Sequence, residues 1–514
     1  MGSKCNRRFT GAAIECALFV VVAATAATTL VSCASMHSTG IQTRGEALFE
    51  RHCVDCHGVL GDAETAVRPL LFPRPRAFRD GVFKLASSLN GVPSDADLVA
   101  TLRRGLPGST MPSYSWMADA DLVALARHVR SLAIDGMSER LRTRAASLGI
   151  VADEAKARVE AERRMQPGPS VTVPPSLPET EGNHERGHRL YQRHCAACHG
   201  EDGKGRTPDI AWAGVADQQW PRDFTAGFMR GEATREAIAH RIRAGIPGAN
   251  MPPTDLTDVE LALLVDYVKS RIVDGSEGQH VQWRRTIRAA RVIDIPNDPS
   301  DPDWGDIESV RVPLAPLWWR PEAVFDVRVR CVHDDDRLVF QLQWDDTTRD
   351  DRAVVGSPQA DGAALEFSTE REPPMFAMGG HESVEIWRWR AFQREDVAGG
   401  LDLLSRLGRN DVDMPLFVPG VTQPSRVGEA LRVHGMRGMA QERGTGRTIV
   451  ATPRWRDGVW TLVASRSMRA HGPGELEFEP PQRLFIAFAA WNGSVDLHAA
   501  SKSVSTWHVL ELAK

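Results

Sequence analysis

Apolar residues follow two different periods along the chain, and the period changes near residue 275. Before that point they show helical spacing in two similar segments, Leu122 with Leu125, Val129 and Leu132, and Leu261 with Leu264, Val265 and Val268. Each set lies on one face of a helix, so both segments are predicted to be amphipathic helices packed on a core. Thr257 and Glu260 have capping-box spacing, which predicts where the second helix begins.

Beyond residue 275 apolar and polar residues alternate, which is typical of half-buried strands. Alternation is clear at Phe325, Val327, Val329 and Cys331, and again at Leu338, Phe340, Leu342 and Trp344. Asp457-Gly458 between two strand-like runs predicts a hairpin turn, and further strands are predicted over 484–491 and 503–512. Short strands broken by Gly, Pro and Asp predict an antiparallel β-sandwich after the helical part.

The first 33 residues have the layout of a secretory signal. Lys4, Arg7 and Arg8 precede an apolar run from Gly11 to Val31. The run ends in Leu30-Val31-Ser32-Cys33, which resembles the bacterial lipoprotein cleavage box and implies lipidation of Cys33. An uncleaved anchor helix is the alternative. Either one predicts a membrane-anchored protein whose remaining domains lie outside the cytoplasm.

The helical part contains an internal repeat. The segment from Arg44 to Cys53 recurs from Arg186 to Cys195. Three further elements recur in the same order, Pro75-Arg76 as Pro221-Arg222, Gly105-Leu106-Pro107-Gly108 as Gly245-Ile246-Pro247-Gly248, and Met111-Pro112 as Met251-Pro252. The repeat therefore predicts two copies of one fold, joined by a charged helix and a proline-rich linker.

Each copy carries a Cys-x-x-Cys-His motif, Cys53, Cys56 and His57 in the first and Cys195, Cys198 and His199 in the second. This spacing attaches haem c through two thioether bonds and places the histidine at the iron. A zinc half-site or a redox pair is the alternative. Met111 and Met251 are the predicted sixth ligands, although a methionine also packs well in a core. His52 and His194, beside the motifs, are predicted to be surface or packing residues.

Composition narrows the possible functions of these 514 residues. The formal net charge of -5 favours neither nucleic acid nor a strongly acidic partner. After the signal, Cys33 and the haem motifs are set aside, Cys331 is the cysteine that remains, so no disulfide framework is predicted.

Both copies resemble class I c-type cytochromes, over residues 41–136 and 182–274, with residues 137–181 as the linker. The resemblance implies two small all-α domains, each with a haem c whose two axial positions are filled. Haems ligated in this way relay electrons and leave no open position at the iron.

The final segment, residues 281–514, resembles the haem b-binding γ subunit of ethylbenzene dehydrogenase and related molybdenum enzymes of the type II dimethyl sulfoxide reductase group. The motifs that carry the resemblance are Leu342-Gln343-Trp344-Asp345-Asp346-Thr347, Asp361-Gly362-Ala363-Ala364-Leu365-Glu366-Phe367, Met375-Phe376-Ala377-Met378-Gly379, Val384-Glu385-Ile386-Trp387-Arg388-Trp389 and Lys502-Ser503-Val504-Ser505-Thr506-Trp507. The resemblance implies a haem b between Met378 and Lys502. Either ligand could instead be one of four nearby residues, Met375, His381, His498 or His508. Trp387, Trp389 and Trp507 either pack the core or flank the haem.

The sequence thus predicts an electron-transfer protein with two haems c and one haem b, and no catalytic residues of its own. The resemblance implies molybdenum and iron-sulfur subunits, or a soluble cytochrome, as redox partners. Two other functions remain possible. One is a di-haem peroxidase, which needs an open iron site, and the other is a haem-anchored protein whose β-domain binds carbohydrate.

Overall fold

A computed structural model describes the chain from residue 43 onward with several internal gaps. The described ranges are 43–205, 221–249, 251–273, 276, 278–320, 322–351, 360–370, 384–391, 427–433, 442–470, 475–494 and 502–514. Residues Arg44–Lys514 form one compact unit. The predicted signal, with Cys33, lies outside the described residues. Within the described ranges, each helix is too short or too polar to cross a bilayer.

Nine α-helices are described, and they form the first half of this unit. They are α1 (Arg44–His52), α2 (Val54–His57), α3 (Asp95–Arg104), α4 (Asp119–Ser147), α5 (Glu154–Arg164), α6 (Glu181–His194), α7 (Ala196–His199), α8 (Arg235–Ala244) and α9 (Asp258–Arg271). Helix α1 packs on α4, and α6 packs on α9 in the second copy. Gly45 and Gly187 permit the close crossings, because a Cβ at either would collide with the backbone of the facing helix.

The ends of these helices follow the sequence signals. Thr257 and Glu260 form the predicted capping box, with Glu260 N donating to Thr257 Oγ1 and Thr257 N donating to Glu260 Oε2. Helix α4 extends from the first domain to Ser147. The charged segment after this domain was predicted to be one separate helix. It consists instead of the end of α4 followed by α5. Gly149, with φ of 72°, follows the end of α4.

Thirteen strands are described in the second half. They are β1 (Thr286–Arg291), β2 (Val310–Pro313), β3 (Ala315–Pro316), β4 (Asp326–His333), β5 (Arg337–Asp345), β6 (Gly362–Ser368), β7 (Val384–Arg390), β8 (Val427–Val433), β9 (Glu442–Arg456), β10 (Val459–Ser467), β11 (Gln482–Trp491), β12 (Ser503–Val504) and β13 (His508–Leu512). The Asp457-Gly458 turn joins β9 to β10 as predicted, and both residues have positive φ. The strand predicted over 503–512 is divided into β12 and β13.

The predicted antiparallel sandwich is wrong, because ten of these strands close into a barrel. The order around the ring is β13, β1, β4, β5, β10, β9, β8, β7, β6 and β11, and pairing of β13 with β11 closes it. Strand β1 pairs in parallel with both β13 and β4. Alternation of apolar residues indicates which side chains face inward but not which strands are neighbours, and inward alternation occurs in barrels and sandwiches alike.

Large aromatic side chains contribute to the main core of the barrel. Trp387 and Trp389 are 1% exposed and belong to this core, and Trp389 contacts Trp460 edge-on with ring centroids 5.3 Å apart. Trp507 packs in a separate cluster with Val384. All three tryptophans therefore lie in buried apolar clusters of the described residues.

Replacing Trp460 with alanine is expected to destabilise the barrel by about 3–5 kcal/mol, because the indole is fully buried and its Nε1 donates to Asp361 at 2.9 Å. The free energy of unfolding can be measured by chemical denaturation. Trp318, which is 40% exposed and stacks on Phe72, provides the control outside the core, and Trp318→Ala is expected to cost about 1–2 kcal/mol. Equal losses would contradict the placement of Trp460 in the core.

Candidate haem-binding sites

The first candidate site is an open cavity of about 1070 Å³ in the first helical domain. Its wall contains Cys53, Cys56 and His57 from the α1–α2 region, and Met111 from the loop after α3. Apolar side chains form much of the remaining wall and include Leu98, Leu102, Leu125 and Val129. The structure thus brings the four predicted residues of the first domain together around one cavity, which suits a flat and largely apolar macrocycle.

His57 is held in a defined orientation by two neighbours. Its Nδ1 lies 2.8 Å from the backbone oxygen of Arg76, and its ring stacks on Phe78 with centroids 4.3 Å apart. A carbonyl oxygen can only accept, so Nδ1 carries the proton and the Nε2 lone pair remains available for a metal ion. Burial lowers the pKa of His57 to about 4, which keeps the ring neutral.

Met111 lies in a tight loop that begins at Gly105, a residue with φ of 72°. Leu106 N donates to the backbone oxygen of Met111 at 3.0 Å and closes this loop. The second domain repeats the bond, with Ile246 N donating to the backbone oxygen of Met251 at 2.9 Å. The same backbone geometry therefore places each methionine in the wall of its own cavity.

The second cavity, of about 1230 Å³, contains Cys195, Cys198, His199 and Met251 in its wall. Burial lowers the pKa of His199, and a backbone interaction with Arg222 partly opposes this effect. The two sites differ at the second cysteine of the motif. Cys56 is buried, whereas Cys198 is exposed to solvent.

Both cavities are also lined by cationic side chains that were not predicted as site residues. These are Arg74, Arg76 and Lys84 in the first cavity and Arg222, Arg230 and Arg241 in the second. Nε and Nη1 of Arg222 and of Arg241 are buried and have no hydrogen-bond partner in the described part of the chain. Haem carries two propionate carboxylates, and arginine is well suited to bind such groups. The residues present therefore fit haem.

The first cytochrome-like domain is joined to the barrel by backbone and side-chain contacts. Phe72 N donates to Leu317 O at 2.7 Å, and Leu317 N donates to Lys502 O at 2.9 Å. Cys56 also packs in one buried cluster with Leu317 and Val504. The wall of the first cavity therefore lies close to β12 and to the predicted haem b ligand Lys502.

Lys502 precedes β12 and is partly buried. Its Nζ lies 5.4 Å from the ring centroid of Trp491. Burial lowers the pKa of Lys502, Glu366 opposes this shift, and the positive charges of Arg388 and Arg390 add to it. A lowered pKa favours the neutral amine, which is the form that can bind iron.

The remaining predicted haem b residues are only partly described. Met375, Met378, His381 and His498 lie outside the described residues, so the partner of Lys502 stays a prediction. His508 is fully buried, and its Nδ1 accepts a hydrogen bond from Arg285 N at 3.0 Å. Burial lowers the pKa of His508 to about 3. His52 is buried against Tyr114 and Trp116, and His194 is exposed.

Three protein-family models match separate parts of the chain. Residues 41–129 match subunit III of cbb3-type cytochrome c oxidase, residues 184–271 match cytochrome c, and residues 301–503 match ethylbenzene dehydrogenase. Together with the two haem-motif cavities, these matches define a multihaem electron-transfer cytochrome. More particularly, the chain consists of tandem cytochrome c domains followed by a domain of the ethylbenzene dehydrogenase type, as the sequence predicted.

Curated relatives share part of this organisation. A respiratory nitrate reductase haem subunit assigned to Haloferax mediterranei is 28% identical over 225 residues, 42% of this chain and 68% of that protein. The fructose dehydrogenase cytochrome subunit of Gluconobacter japonicus is 25% identical over 253 residues, 44% of this chain and 48% of its own length. The match thus spans about half of the second relative. Both names describe haem-carrying subunits, in agreement with the predicted non-catalytic role.

Among solved structures, a chain of the reducing HAO-like protein complex from Kuenenia stuttgartiensis is 25% identical. The match covers 46% of this chain and 98% of that chain, with a TM-score of 0.37.

Proposed function

We propose that the protein relays electrons between an oxidoreductase and a respiratory carrier outside the cytoplasm, through two haems c and one haem b. The pair of cavities carries this proposal, because each is lined by a complete Cys-x-x-Cys-His motif and a methionine. When bound, each haem gains or loses one electron at its iron.

The roles of the chain's own residues follow from the two cavities. Cys53 and Cys56 in the first domain, and their equivalents in the second, provide the thiols for covalent attachment. His57, oriented by the backbone oxygen of Arg76, and Met111 are the residues that would hold the haem iron in the first domain. A methionine bound to the iron would raise the reduction potential and leave no open site for peroxide. Filled sites favour a relay over a di-haem peroxidase.

The partner and the location complete the proposal. The printed names of the relatives, which are subunits of a nitrate reductase and a fructose dehydrogenase, support a redox enzyme as the partner. The match to the ethylbenzene dehydrogenase model favours a molybdenum and iron-sulfur enzyme, with a soluble cytochrome as the other exchange partner. The signal-like start of the chain and Cys33 favour an extracytoplasmic protein anchored by lipid.

Pyridine haemochrome spectra of the purified protein provide the test of the haem content. The expected ratio is two haems c to one haem b per chain. Lys502→Ala is expected to remove the b-type signal and leave both c-type signals, because an alanine has no nitrogen to bind the iron. Lys156→Ala, which changes an exposed lysine on α5, is the matched control and should retain all three.

Three results would contradict parts of the proposal. Two haems c without haem b would contradict the assignment of Lys502, and would leave the barrel as a binding domain. A c-type count of one or none would contradict the relay itself. High-spin haem with peroxide turnover would favour the di-haem peroxidase instead.

A further inference from the structure

The two cytochrome c domains exchange hydrogen bonds in a reciprocal pattern. Arg76 of the first domain donates through Nη2 to the backbone oxygen of Gly248 in the second, at 2.7 Å. Arg222 of the second donates through Nη2 to the backbone oxygen of Gly108 in the first, also at 2.7 Å. Arg76 and Arg222 are equivalent in the repeat, and so are Gly108 and Gly248. The domains thus meet in the way that two subunits meet across a twofold axis.

Cations from both domains act on one another across this interface. Lys84 of the first domain is 8% exposed, and its pKa is lowered well below the usual value by burial and by Arg230, Arg76 and Arg222. Burial lowers the pKa of Arg222 well below its usual value, and the charge of Arg230 lowers it further. Burial, the charge of Arg104 and, more weakly, that of Arg230 lower the pKa of Arg241 to about 10, and the acidic Glu232 opposes this shift. The five basic side chains therefore form one electrostatic group that draws on both domains.

Burial of so many positive charges is costly unless anions accompany them, since removing even one ion from water costs several kcal/mol. Two members of the group, Arg222 and Arg241, have N–H donors that are not used in hydrogen bonds among the described residues. Arg222 uses Nη2 for Gly108, and Arg241 uses Nη2 for the backbone oxygen of Glu232 at 2.8 Å. Nε and Nη1 of both are buried without a partner among the described residues. These donors line the second cavity, while Lys84 and Arg76 line the first.

We propose that Lys84, Arg76, Arg222, Arg230 and Arg241 form one anion site, shared by both cytochrome c domains, that binds the propionate carboxylates of both haems. The inference rests on the proposed binding of one haem c in each domain. Each cavity is lined by residues of its own domain, and the cations of the neighbouring domain add positive charge beside it across the interface. Carboxylates supply the negative charge and the acceptors that this buried group requires.

Arg222→Gln provides the main test, with the two haem c potentials measured by spectroelectrochemical titration. A positive charge favours the reduced haem, so its removal favours the oxidised form. For a shared site, the reduction equilibrium of both haems c is expected to shift three- to tenfold toward oxidation, and tenfold corresponds to about 59 mV for one electron. Arg76→Gln, the equivalent change in the first domain, is expected to produce the same shift at both haems.

Two further measurements separate carboxylate binding from a loss of packing. Resonance Raman bands of the propionates are expected to change in Arg222→Gln, because those carboxylates lose a donor. Arg243→Gln is the matched control, since Arg243 lies on the same helix as Arg241 and donates to the Asp258 carboxylate at 3.2 Å. It is expected to change neither potentials nor bands. Lys84→Met repeats the test if the arginine variants do not fold, and both potentials should again fall.

The outcomes for the shared site and for the proposed function are distinct. A shift confined to one of the two haems, or unchanged propionate bands, would overturn the shared site while two haems c are still counted. A wild-type protein that lacks two haems c fails the haemochrome count, and that result would contradict the proposed function first.

Discussion

A chain in which Cys53 and Cys56 are both replaced by serine is expected to retain one covalently bound haem, whereas two are expected in the unchanged protein. Both thiols lie in the wall of the first cavity beside His57. A serine hydroxyl does not form the thioether bond, so the first cavity loses covalent attachment. The second cavity has its own motif at Cys195 and Cys198 and is expected to remain loaded.

The number of covalently bound haems can be measured by haem staining of a denaturing gel and by mass spectrometry of the intact chain, because such haem stays attached when the protein is denatured. Cys331→Ala is the matched control, because Cys331 is buried in the core of the barrel and takes part in neither cavity. That variant should retain both covalent haems. Two covalent haems in the double serine variant would show that the first motif does not bind haem c.

Replacing Met111 with leucine is expected to lower the reduction potential of one haem c by about 0.1–0.3 V, within the roughly 0.8 V range that axial ligands span. Leucine preserves the volume of methionine but has no thioether to bind iron. The same change at Met251 is expected to lower the potential of the other haem. In each variant, an open sixth site should appear as a high-spin absorption spectrum from one haem.

Met117→Leu separates ligation from packing. Met117 is 7% exposed and packs in the same core that Met111 contacts. If Met111 serves only to fill that core, the two leucine variants will behave alike and both potentials will stay unchanged. A potential that falls only in the Met111 variant identifies the sulfur of that residue as the ligand.

Local features of the fold could be predicted because they depend on neighbours in sequence. The capping box at Thr257 and Glu260 requires residues three positions apart, and the Asp457-Gly458 turn requires two adjacent residues that adopt positive φ. The haem motifs are equally local. The internal repeat then indicated that both cavities have the same construction.

Closure of the barrel depends on a contact between distant parts of the chain. Thr286 of β1 lies opposite Val509 of β13, and Leu510 of the same strand pairs with Leu484 of β11. Each strand alone shows the same inward alternation that it would show in a sandwich. Whether the strands form a barrel or a sandwich therefore depends on pairings between distant strands, which no local sequence pattern indicates.

The cationic group between the cytochrome domains was missed for a related reason. Lys84, Arg222 and Arg241 come from separate segments, and an isolated basic residue in sequence is most often solvated. One signal was present. The Pro-Arg pair at Arg76 recurs at Arg222, and an arginine kept at the same place in both copies indicated a common task for that side chain.

The backbone of Leu317 links two distant parts of the molecule. It accepts a hydrogen bond from Phe72 in the first cytochrome domain and donates one to Lys502 next to β12. The first cytochrome domain is thereby joined to the barrel by hydrogen bonds and by the buried cluster of Cys56, Leu317 and Val504. With the proposed haem b in the barrel, electron exchange between these two parts would be governed by a fixed spacing and not by the rate at which domains collide. Solvent viscosity should then slow only encounters with separate proteins, while transfer inside the chain keeps its pace.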